Sequence, residues 1–235
     1  MQCFTWGERI MSLKNNTVLV TGASRGLGRA VARAFLRAGA NVIAMDDDSQ
    51  SLQETRAALQ HYSEHFSTVQ IDVRDEPAVT EFIASLDQLD VVINNMNAAH
   101  CRPLLETSTQ ELREVLEMNV VAAFVVMREA ARFMIAHGAG HIINIASTAA
   151  VQGVADMAPY AASKHALLGL GRSLEKELHA HPIRITTFCP GPIANAEEDG
   201  ERPALEPDAL AGTIVHLASL PPAVEIKELV VEPVE

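Results

Sequence analysis

Short apolar runs recur along the chain, and the segments between them change period. Thr17–Thr21, Asn41–Asp46, Ser67–Asp72, Leu89–Ile93, His141–Ser147, Ile183–Phe188 and Glu225–Val231 have the length and composition of buried strands. Between them apolar positions fall at helical spacing. Ser24–Ala38 carries Ala30, Val31, Ala34 and Phe35 on one stripe, and Ser108–His137 and Pro159–Ala180 read as two long helices. Parallel strands need crossover connections, and those crossovers are right-handed and helical. The predicted class is therefore α/β: one doubly wound domain with a parallel seven-stranded sheet over residues 13–235. The one breaker-rich stretch, Pro190 to Pro207, follows the sixth strand. A loop there lies over the C-terminal ends of the strands, where open α/β sheets bind ligands, and residues 193–205 are expected to form a short lid.

Composition narrows the function classes. With 235 residues, 48% of them hydrophobic, the chain can bury one sizeable core, which excludes disorder as its main state. Eighteen Lys and Arg stand against 30 Asp and Glu, a formal net charge of −12 with no basic run, so nucleic acid is excluded as a partner. No stretch approaches the roughly 20 apolar residues of a membrane span. Cys3, Cys101 and Cys189 are odd in number and far apart, which supports neither a disulfide framework nor a metal knuckle and suits a reducing, cytoplasmic setting. His100, His141 and His165 lack paired ligand spacing, so no metal is expected. Residues 1–12 are expected to form a flexible extension, with Met11 a candidate physiological start.

Candidate chemistry begins directly after the first strand, at Thr21-Gly22-Ala23-Ser24-Arg25-Gly26-Leu27-Gly28. Glycines here permit positive φ and close backbone approach, and the helix they open offers free N–H groups to a pyrophosphate. Further on, Tyr160 and Lys164 are i, i+4 on a predicted helix and project from one face. An adjacent ammonium and an oxidised nicotinamide would both favour the tyrosine phenolate, which makes Tyr160 a plausible general base.

The spacing Gly-x3-Gly-x-Gly resembles the TGxxxGxG signature of the short-chain dehydrogenases/reductases, a family of Rossmann-fold NAD(P)-dependent oxidoreductases. The family's other motifs follow in its order over residues 13 to about 233. Its Tyr-x-x-x-Lys signature stands as Tyr160-Ala161-Ala162-Ser163-Lys164, Ser147 lies 13 residues upstream, and Asn119 sits in Met118-Asn119-Val120. The resemblance implies that Tyr160 exchanges the proton of the reacting hydroxyl, that Ser147 hydrogen-bonds that oxygen, and that Asn119 supports a water-linked proton path to Lys164. It implies cofactor contacts from Gly22, Ser24, Arg25, Gly26, Leu27 and Gly28. Asp72 and Val73 would contact adenine, and Asn94, Met96 and Asn97 would follow on the fourth strand. Tyr160 and Lys164 would touch the nicotinamide end, with Pro190, Gly191 and Ile193 near its carboxamide. It implies a homodimer or homotetramer through the two long helices.

Asp46, 18 residues after Gly28, is placed to accept from the adenine-ribose hydroxyls and repel a 2′-phosphate, so NAD is favoured over NADP. Arg25 favours NADP. Asp47 and Asp48 either add to the acidic end or merely begin a helix, with Asp48 or Ser49 as N-cap. The chain departs from the family at Asn94-Asn95-Met96-Asn97, where Asn-Asn-Ala-Gly is usual, and at Asn195, where a threonine is usual. Ala149, Gly153, Met157 and Ala98 to His100 are pocket candidates by position only. The expected activity is hydride transfer between a nicotinamide and a secondary alcohol or ketone. Two alternatives stay open: an NADPH-dependent 3-oxoacyl thioester reductase, and a dinucleotide-binding sensor with little turnover.

Overall fold

The computed structural model describes residues 11–194 and 203–234. Seven strands, β1 (Thr17–Thr21), β2 (Asn41–Asp46), β3 (Phe66–Gln70), β4 (Val91–Asn94), β5 (Gly140–Ile145), β6 (Ile183–Pro190) and β7 (Glu228–Val231), pair in parallel in the order β3-β2-β1-β4-β5-β6-β7. Seven α-helices connect or flank them: α1 (Gly26–Arg37), α2 (Ser49–Ala58), α3 (Glu76–Ala84), α4 (Thr109–Leu116), α5 (Ala123–His137), α6 (Ala158–Glu177) and α7 (Pro207–Ser219).

Side chains alternate across each strand, so the central strands feed two cores at once. Val18 and Val20 of β1, with Val91 and Ile93 of β4, join α1, α2 and α7 on one face, while Leu19 and Val92 join α3, α5 and α6 on the other. Burial on both faces explains why these strands read as continuous apolar runs and not as an alternating pattern. The doubly wound seven-stranded reading holds.

Boundaries moved where side chains end a ladder. β3 stops short of the expected Asp72, whose carboxylate turns back to accept from the Arg74 backbone N–H at 2.9 Å. β5 stops at Ile145, and Ser147 instead caps a 3-10 turn at Thr148–Ala150, accepting from the Ala149 N–H at 3.2 Å. β7 begins at Glu228; upstream, Glu225 offers its carboxylate to the Ile185 N–H in place of a ladder bond. The expected helix over 108–137 opens with a Ser108/Glu111 capping box and ends at Gly138 in the left-handed region, but a π-helical segment at Glu117–Ala122 separates α4 from α5. That segment carries Asn119.

Residues 1–10 of the expected extension and 195–202 of the expected lid, Asn195 included, lie outside the described residues. The Met11 N–H donates to the Ser219 carbonyl and Leu13 is buried, so residues 11–12 are tied to the end of α7. On either side of the lid segment, the Ala194 N–H donates to the Leu205 carbonyl and the Leu205 N–H to the Pro192 carbonyl.

Candidate active site

β1 and β4 are neighbours whose connections leave in opposite directions, which opens a crevice at their C-terminal ends. A cavity of about 730 Å³ lies there. The glycine turn forms one wall. Gly22 and Gly26 have φ of 63° and 52°, which side-chain-bearing residues rarely adopt. A Cβ on Gly28 would sit 2.0 Å from the Gly22 carbonyl oxygen, so the turn can close only with glycine there. No side chain caps the N-terminus of α1 and no acidic residue stands in its first turn, leaving its N–H groups for an anion.

At the end of β2, Asp46 is buried and lines the cavity. Its carboxylate accepts from the backbone N–H groups of Ser24 and Asp48, both at 3.2 Å, which fixes it against the turn. Burial and the neighbouring Asp46 hold the Asp47 carboxyl above the usual range, and Asp47 also lines the cavity. Asp48 does not. It caps α2, accepting from the N–H and the hydroxyl of Ser51, and its carboxyl is held low by Ser51 first and also by Arg25.

The altered segment after β4 keeps the turn intact. The Asn95 amide donates to the carbonyls of Thr21 and Gly22 at 3.0 and 3.1 Å, and the Thr21 hydroxyl accepts from the N–H of Asn95. Among the described residues only Asn15 and Asp156 combine a side chain with positive φ, so Asn97 needs no left-handed backbone where the family carries glycine. The cavity, the uncapped helix and the anchored carboxylate together fit a dinucleotide, with Gly22, Arg25, Leu27, Gly28 and Asp46 placed to hold it.

Ser147, Tyr160 and Lys164 line the other end of the same cavity. Lys164 is fully buried, donates to the Ile145 carbonyl at 3.1 Å and stands 5.4 Å from the Tyr160 ring centre. Loss of hydration pulls its ammonium down to about 8. Burial likewise pushes the Tyr160 phenol up, and the Ser147 hydroxyl opposes this only in part. The ammonium and the oxidised nicotinamide expected to favour the phenolate would both act against this desolvation.

Not every expected residue reaches the cavity. Asn119 is buried, and its amide grips Ala98 through both the N–H and the carbonyl while also donating to the Ser163 hydroxyl. Both of its N–H groups are thereby used. Ser24 and Gly26 are not among the residues that line the cavity. Asp72 is engaged by Arg74, Val73 is buried in the core, and Asn94 donates to the Ala123 carbonyl and to Asn144 of the neighbouring β5. Met96, Asn97, Pro190, Gly191 and Ile193 do line the cavity, as do Ala99, Ala149 and Met157 of the positional candidates. Gly153, Ala98 and His100 do not. Sequence reasoning gave no role to Asn95, Thr148 or Val154. The roles of these residues depend on neighbours brought by the sheet order, not on any local spacing.

Among the described residues no group of His, Cys, Asp or Glu could hold a metal ion, and no helix is long and apolar enough to cross a membrane.

Comparison with known proteins bears on this geometry. Residues 16–204 match the family model described as short chain dehydrogenase. The chain is 33% identical over 227 residues to the 2-dehydro-3-deoxy-D-gluconate 5-dehydrogenase of Bacillus subtilis, covering 88% of this chain and 89% of the relative. It is 32% identical over 189 residues to the gluconate 5-dehydrogenase of Gluconobacter oxydans, covering 79% and 74%. A metagenomic short-chain oxidoreductase solved in complex with NADP superposes with a TM-score of 0.83 at 31% identity, covering 95% of this chain and 99% of that one.

Proposed function

The chain belongs to the short-chain dehydrogenases, NAD(P)-dependent oxidoreductases of alcohol groups, and on that premise we propose that it interconverts a secondary alcohol and a ketone with Tyr160 as the proton-transfer group. The observation that carries this reading is the convergence of Ser147, Tyr160 and Lys164 on the cavity that the glycine turn walls. When bound, the nicotinamide supplies or accepts hydride. The chain's own residues handle the oxygen. The Tyr160 phenol, kept protonated by burial, donates to a carbonyl oxygen during reduction, and Ser147 holds that oxygen by a hydrogen bond. In oxidation the same phenol must first lose its proton, which a charged Lys164 assists.

NAD is the proposed cofactor. Asp46 is rigidly held at the end of β2, where an ionised carboxylate accepts from ribose hydroxyls and repels a phosphate. Arg25 and the NADP of the metagenomic relative favour the other choice. The intact turn at Asn94–Asn97 supports cofactor binding, and the presence of Ser147, Tyr160 and Lys164 at one cavity favours turnover over a binding-only role. The two curated relatives are named for sugar acids, which makes such compounds one substrate class to test. A homodimer or homotetramer belongs to the same proposal, supported by the exposed apolar Val121 and Phe124 near the α4–α5 junction.

Tyr160→Phe tests the assignment. Turnover is expected to fall by about 10²–10⁴-fold, the usual worth of a positioned acid or base, with binding of the reduced cofactor retained. Undiminished turnover would refute the role.

A further inference from the structure

Charge around the cavity is unevenly placed. Among the described lining residues, Arg25, Asp46 and Asp47 stand at the glycine turn, and Lys164 is buried against the Ile145 carbonyl. The segments after β5 and β4 contribute Thr148, Ala149, Val154, Met157, Asn97 and Ala99 to the lining, none of them charged. These two segments are joined, since the Arg102 N–H donates to the Asp156 carbonyl at 2.7 Å. Side chains of the adjoining loop reach carboxylates of α4. Arg102 pairs with Glu111 at 3.3 Å, and the His100 ring lies 3.9 Å from Glu114.

We propose that the site takes an uncharged alcohol or ketone whose apolar flank packs on Val154 and Met157, and that it discriminates against the carboxylate-bearing substrates for which the two relatives are named. The inference rests on the reading that Ser147 and Tyr160 face the reacting oxygen. An ionised carboxylate set against methyl and thioether groups loses its hydration and gains no partner. An alkyl group in the same place gains by leaving water. Specificity follows from that difference, because the described residues of this part of the lining offer a charge no partner.

The test uses the full chain saturated with whichever reduced nicotinamide cofactor it binds more tightly, and two ketones of equal length. Pentan-2-one and 4-oxopentanoate differ by a methyl against a carboxylate. Binding is read from the change in cofactor fluorescence and turnover from its oxidation. Pentan-2-one is expected to bind and react with kcat/KM at least tenfold above 4-oxopentanoate. Met157→Lys is expected to lower that ratio at least tenfold and Met157→Leu to preserve it, with cofactor affinity unchanged in both. Val154→Lys provides a second cationic variant if Met157→Lys does not fold. Equal or tighter binding of 4-oxopentanoate, no binding of pentan-2-one, or a ratio indifferent to the added lysine overturns the inference. Selective binding of pentan-2-one without reduction would uphold it while refuting the catalytic reading, and preferential reduction of 4-oxopentanoate would do the reverse.

Discussion

Asn119 holds Ala98 by both of its backbone polar groups: the Ala98 N–H donates to Asn119 Oδ1 at 2.7 Å, and Asn119 Nδ2 donates to the Ala98 carbonyl at 2.8 Å. The same Nδ2 also donates to Ser163 Oγ, whose hydroxyl donates to the Tyr160 carbonyl. One side chain in the π-helical segment thus ties the loop after β4 to the helix that carries Tyr160 and Lys164. Asn119→Leu strands these buried groups and is expected to cost on the order of 2–4 kcal/mol, measured by urea unfolding. Wild-type stability in this variant would show that the clamp contributes nothing.

Gly28 sits where a Cβ would press 2.0 Å from the Gly22 carbonyl oxygen. Gly28→Ala must open the turn, at a cost of about 1–3 kcal/mol, and is expected to weaken cofactor binding at least tenfold. Calorimetric titration and thermal unfolding check both effects together. Tight binding in this variant would mean that the turn does not hold the cofactor.

The opposing pressures on Tyr160 and Lys164 give the two reaction directions different pH profiles. Burial keeps the phenol protonated, so ketone reduction has its donor in place at neutral pH. Alcohol oxidation, which draws on a charged Lys164 to release the phenol proton, is expected to decline as Lys164 loses its charge around pH 8, while reduction keeps its protonated donor over the same interval. Initial rates in both directions test this, and Lys164→Met should remove the inflection near pH 8.

His141 is buried in β5 and held to about 3, by loss of hydration first and by Arg184 second. The Thr186 hydroxyl donates to the Ile226 carbonyl, so it accepts from the imidazole Nε2–H, and Nδ1 is left without a partner. The folded state resists a proton that the unfolded chain accepts near 6.5. This stability is complete above pH 6.5 and is lost as pH falls toward 3, by up to about 5 kcal/mol. His141→Val leaves the Thr186 bond to Ile226 in place. Its melting temperature is expected to drop less than that of the wild type between pH 7 and pH 4.5, and an equal drop would exclude His141 as the cause.

Much of this molecule is legible in its residue pattern. The strands stand out because two-sided burial makes them continuously apolar, and the Tyr160–Lys164 pair because i, i+4 spacing survives any placement of the helix. Boundaries were less legible: Ser147 lies beyond β5, since its hydroxyl caps a turn that no periodicity announces. The π-helical segment at Glu117–Ala122 escaped because no residue type marks it: Met118, Val120, Val121 and Ala122 suit an α-helical turn as readily. Asn95, Asn119 and His141 act on partners distant in sequence, so their roles appear only once the sheet order is known. The acidic triplet divided as side-chain geometry required, with Asp46 and Asp47 toward the cavity and Asp48 on its helix.

The central claim is a nicotinamide site whose adenosine end is set by Asp46. Fluorescence titration of the purified protein with NADH and, separately, with NADPH tests it most directly. Both are expected to bind, NADH more tightly. Tighter binding of NADPH would make Arg25 the deciding residue, and binding of neither would contradict the site itself.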